Sequence, residues 1–172
     1  PPPSPPPPPP PSPFPPPLPP SPPPSPPPPP GRPSFTREGL EAAVQAYDAN
    51  PASATEMYGP IAEWDVSLIF DMSWLFYRLD RFNADISNWR TSGVTTMESM
   101  FYKAESFNQP LTFDTSSVTT MEEMFKEATV FNQPLSLDTS SVTIMEEMFK
   151  EAKAFNQPLS FDTSRVTNMD TM

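Results

Sequence analysis

Three aspartates, Asp114, Asp138 and Asp162, stand 24 residues apart, with Asp65 in the same phase and Arg90 interrupting the series. If such residues stack at the ~4.8 Å of neighbouring extended segments, their carboxylates repel, and a hard cation with oxygen ligands relieves the repulsion. Calcium at Asp114, Asp138 and Asp162 is one expectation. The competing one is structural. Each of the three precedes Thr-Ser, and an Asx turn satisfies a carboxylate with backbone N–H groups alone. No glycine-centred calcium loop accompanies them. Hydroxyls recur at the same interval (Thr115, Thr139, Thr163; Ser116, Ser140, Ser164). A regular hydroxyl array suits a sugar or ice surface, yet these positions are also those a turn prefers. The amides Asn83, Asn108, Asn132 and Asn156 either meet a ligand or bond the backbone of the neighbouring repeat, and the second is the default for a side chain with both donor and acceptor.

For catalysis the inventory is thin. The 172 residues include no cysteine and no histidine, and the four glycines form no phosphate-cradling loop. No nucleophile has a base beside it, so neither an enzyme nor a resident cofactor is expected. Disulfides and the usual zinc and haem ligands are absent with those two residue types. The net charge of −11 is spread through the chain without a basic cluster, which sets aside nucleic acid and anionic membrane surfaces. No apolar run reaches the ~18–20 residues of a membrane span. No Asn is followed by x-Ser/Thr, so any sugar is O-linked.

What must position these residues is a repeat. Met72, Met97, Met121, Met145 and Met169 follow at steps of 25, 24, 24 and 24 residues, and Phe82, Phe107, Phe131 and Phe155 keep the phase. A fixed period in this range marks a stack of units, none of which buries its own apolar face. Within each unit Met97, Met100, Phe101 and Ala104, and their equivalents 24 and 48 residues on, share one helical face. Thr95, Thr119 and Thr143 precede Glu98, Glu122 and Glu146 by three residues, the spacing of a capping box. Glu122 with Lys126, and Glu146 with Lys150, would add i, i+4 pairs. Gln109-Pro110, Gln133-Pro134 and Gln157-Pro158 exclude a helix in the other half. There Leu111 and Phe113, Leu135 and Leu137, and Leu159 and Phe161 alternate as strands of two to four residues. Met and Phe columns at this period are core. The expected fold is α/β, a right-handed leucine-rich-repeat-like solenoid of about 24-residue coils.

Three segments are expected. Residues 1–33 hold all but a few of the prolines, 24 of them within the first 30 residues, and take a polyproline II rod on the order of 90 Å long. In residues 34–60, Leu40, Ala43, Val44 and Tyr47 give one apolar helical face with Thr36 or Ser34 as N-cap. That helix, near 37–47, caps the stack, and the stretch from Asn50-Pro51 to Gly59-Pro60 reads as a loop. Residues 61–172 are the repeats. Pro1 in place of Met, and an end at Met172 inside a repeat, mark a segment of a longer protein.

Two resemblances follow from these motifs. In the proline tract every serine precedes proline, as in the extensin and pherophorin-type hydroxyproline-rich glycoproteins of plant and green-algal cell walls. That resemblance implies O-linked sugar on Ser4, Ser12, Ser21 and Ser25, and on hydroxylated Pro5, Pro6, Pro7, Pro22, Pro23, Pro26, Pro27 and Pro28. The repeat consensus, F-N-Q-P-L-x-F-D-T-S-x-V-T-x-M-E-x-M-F, resembles the BspA-type leucine-rich-repeat-like surface proteins, the DUF285 repeat, over about residues 61–172. The first unit departs from it, with Leu75-Phe76 for Met-Phe and no capping Glu. The likeness implies an extracellular or cell-surface protein in adhesion or assembly, with other extracellular proteins or glycans as partners. The leading expectation is a structural subunit of a wall, matrix or flagellar-hair-like fibre, assembled as a homo-oligomer. Two other readings stand beside it. Pro27, Pro30 and Arg32 fit a P-x-x-P-x-R ligand of SH3- or profilin-type domains in a cytoplasmic scaffold, and the hydroxyl columns fit a glycan- or ice-binding surface. The tract can also be a plain spacer.

Overall fold

The computed structural model describes residues 34–172. The polyproline rod and all twelve glycosylation candidates, Ser4 to Pro28, lie outside the described residues. Helix α1, Arg37–Ala49, starts at Thr36, whose side chain accepts from the Gly39 N–H. It buries Leu40, Ala43 and Val44 against the first repeat. Arg37 fixes its start by donating through Nη2 to the Ser73 carbonyl. A second helix, α2, Pro51–Tyr58, replaces the expected loop. Asn50 ends α1 and caps α2 by accepting from Ser53 N–H, with Pro51 at the first helical position, where its missing donor costs nothing. Gly59 leaves α2 at φ 76°, a left-handed value that favours glycine. One 3-10 turn, Ile61–Glu63, leads into the repeats.

The α/β leucine-rich-repeat-like solenoid is not what the repeats form. Beyond α2 the described residues contain no α-helix and no strand; the extended contacts are isolated parallel bridges. The reason is spacing. The rings of Phe76, Phe101, Phe125 and Phe149 follow one another at centroid distances of 5.0, 5.4 and 5.5 Å. An α-helix with its side chains is about 10–12 Å across, so coils at this pitch have no room for one helix each.

The Met-x-x-Met-Phe segments are instead chains of turns. Met100 N–H bonds the Met97 carbonyl, Tyr102 bonds Ser99, and Ala104 bonds Phe101. The intervening amides leave the coil: Met97, Ser99, Phe101 and Lys103 donate to the carbonyls of Thr120, Glu122, Met124 and Lys126 in the next one. Backbone groups that a helix would satisfy internally are thus shared between coils. The third residue of the first and last turns carries φ of 51–63° in four successive repeats: Trp74 and Arg78, Ser99 and Lys103, Glu123 and Glu127, Glu147 and Glu151. That is the type II position, which glycine fills without strain. Each L-residue there costs on the order of 1 kcal/mol, offset by the ring stacking and coil-to-coil bonds.

The capping boxes fail for the same reason. Thr95, Thr119 and Thr143 turn their hydroxyls to the carbonyls of Phe70, Thr95 and Thr119 in the preceding coil. Strands are limited to bridges. Leu111 pairs with Leu135 alone, and a second column runs Asp71, Thr96, Thr120, Ile144, Asn168. The prolines remove a donor where each strand would begin, and the Asx turns end it after three residues. The Met, Phe, Val and Leu columns fill the interior. A second stack, Phe82, Phe107, Phe131 and Phe155, lies against the first at 4.2–4.3 Å within each coil.

Candidate functional site

Each aspartate of the series is held in an Asx turn. Asp114 Oδ1 accepts from the Ser116 N–H and hydroxyl, and Asp138 Oδ1 from those of Ser140. Asp162 accepts from Ser164 N–H. The hydroxyl and amide of Ser140 lower the Asp138 carboxyl below its ordinary value, and the Ser164 amide does the same for Asp162. Among the described residues no group of three His, Cys, Asp or Glu is placed to hold a metal ion.

The hydroxyl and amide columns are likewise engaged in holding the stack. Thr91, Thr115 and Thr139 are buried and donate to the carbonyls of Asp114, Asp138 and Asp162 in the next coil. Asn83 Oδ1 accepts from Asn108 N–H at 2.9 Å and from Gln109 Nε2 at 3.1 Å. Asn108 does the same for Asn132 and Gln133, and Asn132 for Asn156 and Gln157. Each coil therefore offers an amide oxygen to the one after it.

The turn face changes character along the stack. Toward the later repeats it is ionic, though not through the i, i+4 pairs a helix would make. Lys126 lies between Glu123 of its own coil and Glu147 of the next, and Lys150 also pairs with Glu147. Lys103 pairs with Glu127 at 3.2 Å. Hydrogen bonds from Lys126 and Lys150 bring the Glu147 carboxyl down to about 2, and the two glutamates raise Lys126. Glu122 has the opposite shift: desolvation, then the neighbouring Glu98 and Glu146, raise it.

Toward the first repeats the same face is aromatic. Trp74 meets the edge of Tyr77 at 5.1 Å and Tyr102 at 6.2 Å, and Tyr77 lies 5.3 Å from Tyr102. Arg78 sits over Tyr77, and Lys103 and Lys126 sit over Tyr102. Trp74 is 42% exposed, and Leu68 and Phe70 of the same coil are more so. Sequence reasoning passed over this cluster. Its signal is visible in the alignment of units: Trp74 stands where later repeats carry Ser99, Glu123 and Glu147.

A cleft of about 340 Å³ opens where the end of α1 and the start of α2 meet residues 81–84. Asp48 lines it with one buried carboxylate oxygen that lacks a hydrogen-bond partner, and burial raises this carboxyl despite Arg81.

The family model described as "Mycoplasma protein of unknown function, DUF285" matches residues 45–137 and 111–172. The chain belongs to the DUF285 family. No curated protein and no solved structure matches it. The DUF285 match spans the end of α1, α2 and the whole coil stack, so the columns just described are the family's part of the molecule. No helix of the described residues is long and apolar enough to cross a membrane.

Proposed function

We propose that this DUF285 chain is a structural, adhesive segment of an extracellular glycoprotein. In this reading it is a subunit of a fibre, wall, matrix or flagellar-hair-like assembly that works through protein–protein contacts. The observation that supports it is how the repeat columns are spent. Asp, Thr, Asn and Gln side chains bond backbone within or between coils, so the stack is a self-bonded scaffold whose lateral faces are left for contacts. The serine-proline tract supplies the glycoprotein half of the reading, with covalent O-linked sugars as the expected modification. Homo-oligomeric packing of rods and stacks would give the fibre.

The deciding experiment is the intact mass of the protein isolated from its native source, followed by fragment masses for residues 1–30. Hydroxyl and sugar increments on Ser4, Ser12, Ser21, Ser25 and the neighbouring prolines are the expected result. An unmodified tract contradicts this reading and favours the proline-rich scaffold, with residues 27–32 as a ligand for an SH3-type domain.

A further inference from the structure

At the head of the asparagine ladder one rung is missing. Asn108, Asn132 and Asn156 N–H each donate to the Asn Oδ1 of the coil before. Asn83 opens the series, with α1 and α2 in place of a preceding coil, and among the described residues no acceptor meets its N–H. The next position differs as well. Gln109, Gln133 and Gln157 reach back to the same Asn oxygens through Nε2, whereas the first coil carries Ala84 there. The cleft of about 340 Å³ lies at this shortfall, lined by Asn83 and Ala84 from the coil and by Tyr47 and Asp48 from α1.

Two unmet groups of opposite kind therefore share the cleft. Asp48 Oδ1 is a buried acceptor without a donor, and Asn83 N–H is the donor just described. Groups left in this state weaken the fold until something pairs them. The volume falls at the small end of the ~300–1,000 Å³ of small-molecule sites, and Tyr47 and Phe82, whose rings meet edge-on at 6.2 Å, supply an apolar side. Charge narrows the ligand. Asp48 and Arg81 bring one charge of each sign, so a cation is repelled by Arg81 and an anion by Asp48. A neutral group with one donor and one acceptor meets neither penalty. The carboxamide is such a group, and it is what the later coils place at the position of Ala84.

We infer that the cleft between α1 and the first coil binds a small molecule through a carboxamide. The ligand N–H donates to Asp48 Oδ1, its carbonyl accepts from Asn83 N–H, and its apolar part lies against Tyr47 and Phe82. An acetamido sugar and a neutral, blocked asparagine both carry this chemistry. The site goes beyond the structural role proposed above and does not involve the proline tract.

The test is an amide-detected NMR titration of the full-length chain with N-acetylglucosamine and, separately, with blocked asparagine. A downfield movement of the Asn83 amide that saturates at millimolar probe is the expected result, and the probe that saturates first identifies the source of the amide. No saturable movement with either probe overturns the inference. Glucosamine or glycine moving Asn83 as far as the amide probes also overturns it, because charge is then what the cleft reads. Asp48→Ala should weaken binding by about tenfold or more, the equivalent of one lost hydrogen bond to a charged group. Burial already disfavours the charged form of Asp48, so its removal does not threaten the fold. Ala84→Gln keeps Asp48 and fills the space from the coil side, and it should abolish binding. Unchanged affinity in either variant contradicts the site. None of these outcomes bears on the native mass that tests the proposed function.

Discussion

The rings of Phe101 and Phe125, one coil apart, are parallel to within 2° with centroids 5.4 Å apart. That pair sets the pitch of the whole molecule, since a helix cannot be inserted between coils so close. Both rings are fully buried and each touches a second ring of its own coil, Phe107 or Phe131, at 4.2–4.3 Å. Phe125→Ala is expected to destabilise the protein by about 3–5 kcal/mol through lost transfer energy and a cavity. Phe125→Asp should cost more by burying an unpaired charge. Urea unfolding of the two variants checks both, and a Phe125→Asp midpoint equal to the parent's would refute the core assignment.

The asparagine ladder makes a different prediction, about chemistry rather than volume. Asn108 acts through its Oδ1, which accepts from Asn132 N–H and Gln133 Nε2. Asn108→Ala leaves both donors without their acceptor and is expected to cost about 1–3 kcal/mol. Asn108→Asp keeps the oxygen and should cost less. Urea midpoints at unchanged m-value compare them, and an aspartate variant as unstable as the alanine one contradicts the acceptor role.

Much of this was legible in the sequence. The phase of the Met and Phe columns, their burial and the α1 face follow from spacing alone, because an inward residue must recur once per coil. The local conformation did not follow. Met97, Met100, Phe101 and Ala104 satisfy the i, i+3, i+4, i+7 pattern, but a chain of three overlapping turns, left-handed at the third residue of the first and the last, points the same four inward. Spacing within one repeat cannot separate these; the pitch between repeats does. Helix α2 was hidden by reading Asn50-Pro51 as a turn, although the same pair is an N-cap followed by a first-turn proline. Trp74 falls at an unspecified position of the repeat consensus, so the sequence pattern does not single it out; its exposure and left-handed backbone belong to the three-dimensional structure.

The ion pairs on the turn face predict a pH dependence of definite sign. Glu147, held down to about 2 by Lys126 and Lys150, has a folded pKa below its unfolded one. Its contribution to stability is present above about 4.5 and is lost as pH falls toward 2. Lys126, raised by Glu123 and Glu147, contributes fully below its ordinary value and loses that contribution at higher pH. Lys126→Met should move the Glu147 carboxyl back toward its ordinary value. A carboxyl-detected NMR titration reads the shift, and an unmoved Glu147 contradicts the pairing across coils.

Asp48 runs the other way. Burial raises its carboxyl, so the folded state holds its proton to higher pH than the unfolded chain does. Stability therefore falls as pH rises through the Asp48 titration. Asp48→Asn should flatten that part of the pH–stability curve. A variant whose curve keeps the parent's slope above the ordinary aspartate value of about 3.9 would show that Asp48 is not the group responsible.

The turn-built coil is tested most directly by the sign of one substitution. Glu151 has φ 58° and makes no ion pair or side-chain hydrogen bond with the described residues. In a helix interior, Glu→Gly would destabilise by about 1 kcal/mol. In the third position of a type II turn it removes the left-handed strain, and stabilisation of up to about 1 kcal/mol is expected. The measurement is the urea midpoint of Glu151→Gly against the parent. A higher midpoint is the predicted result, and a lower one, with unchanged m-value, would contradict the coil geometry and restore the helix.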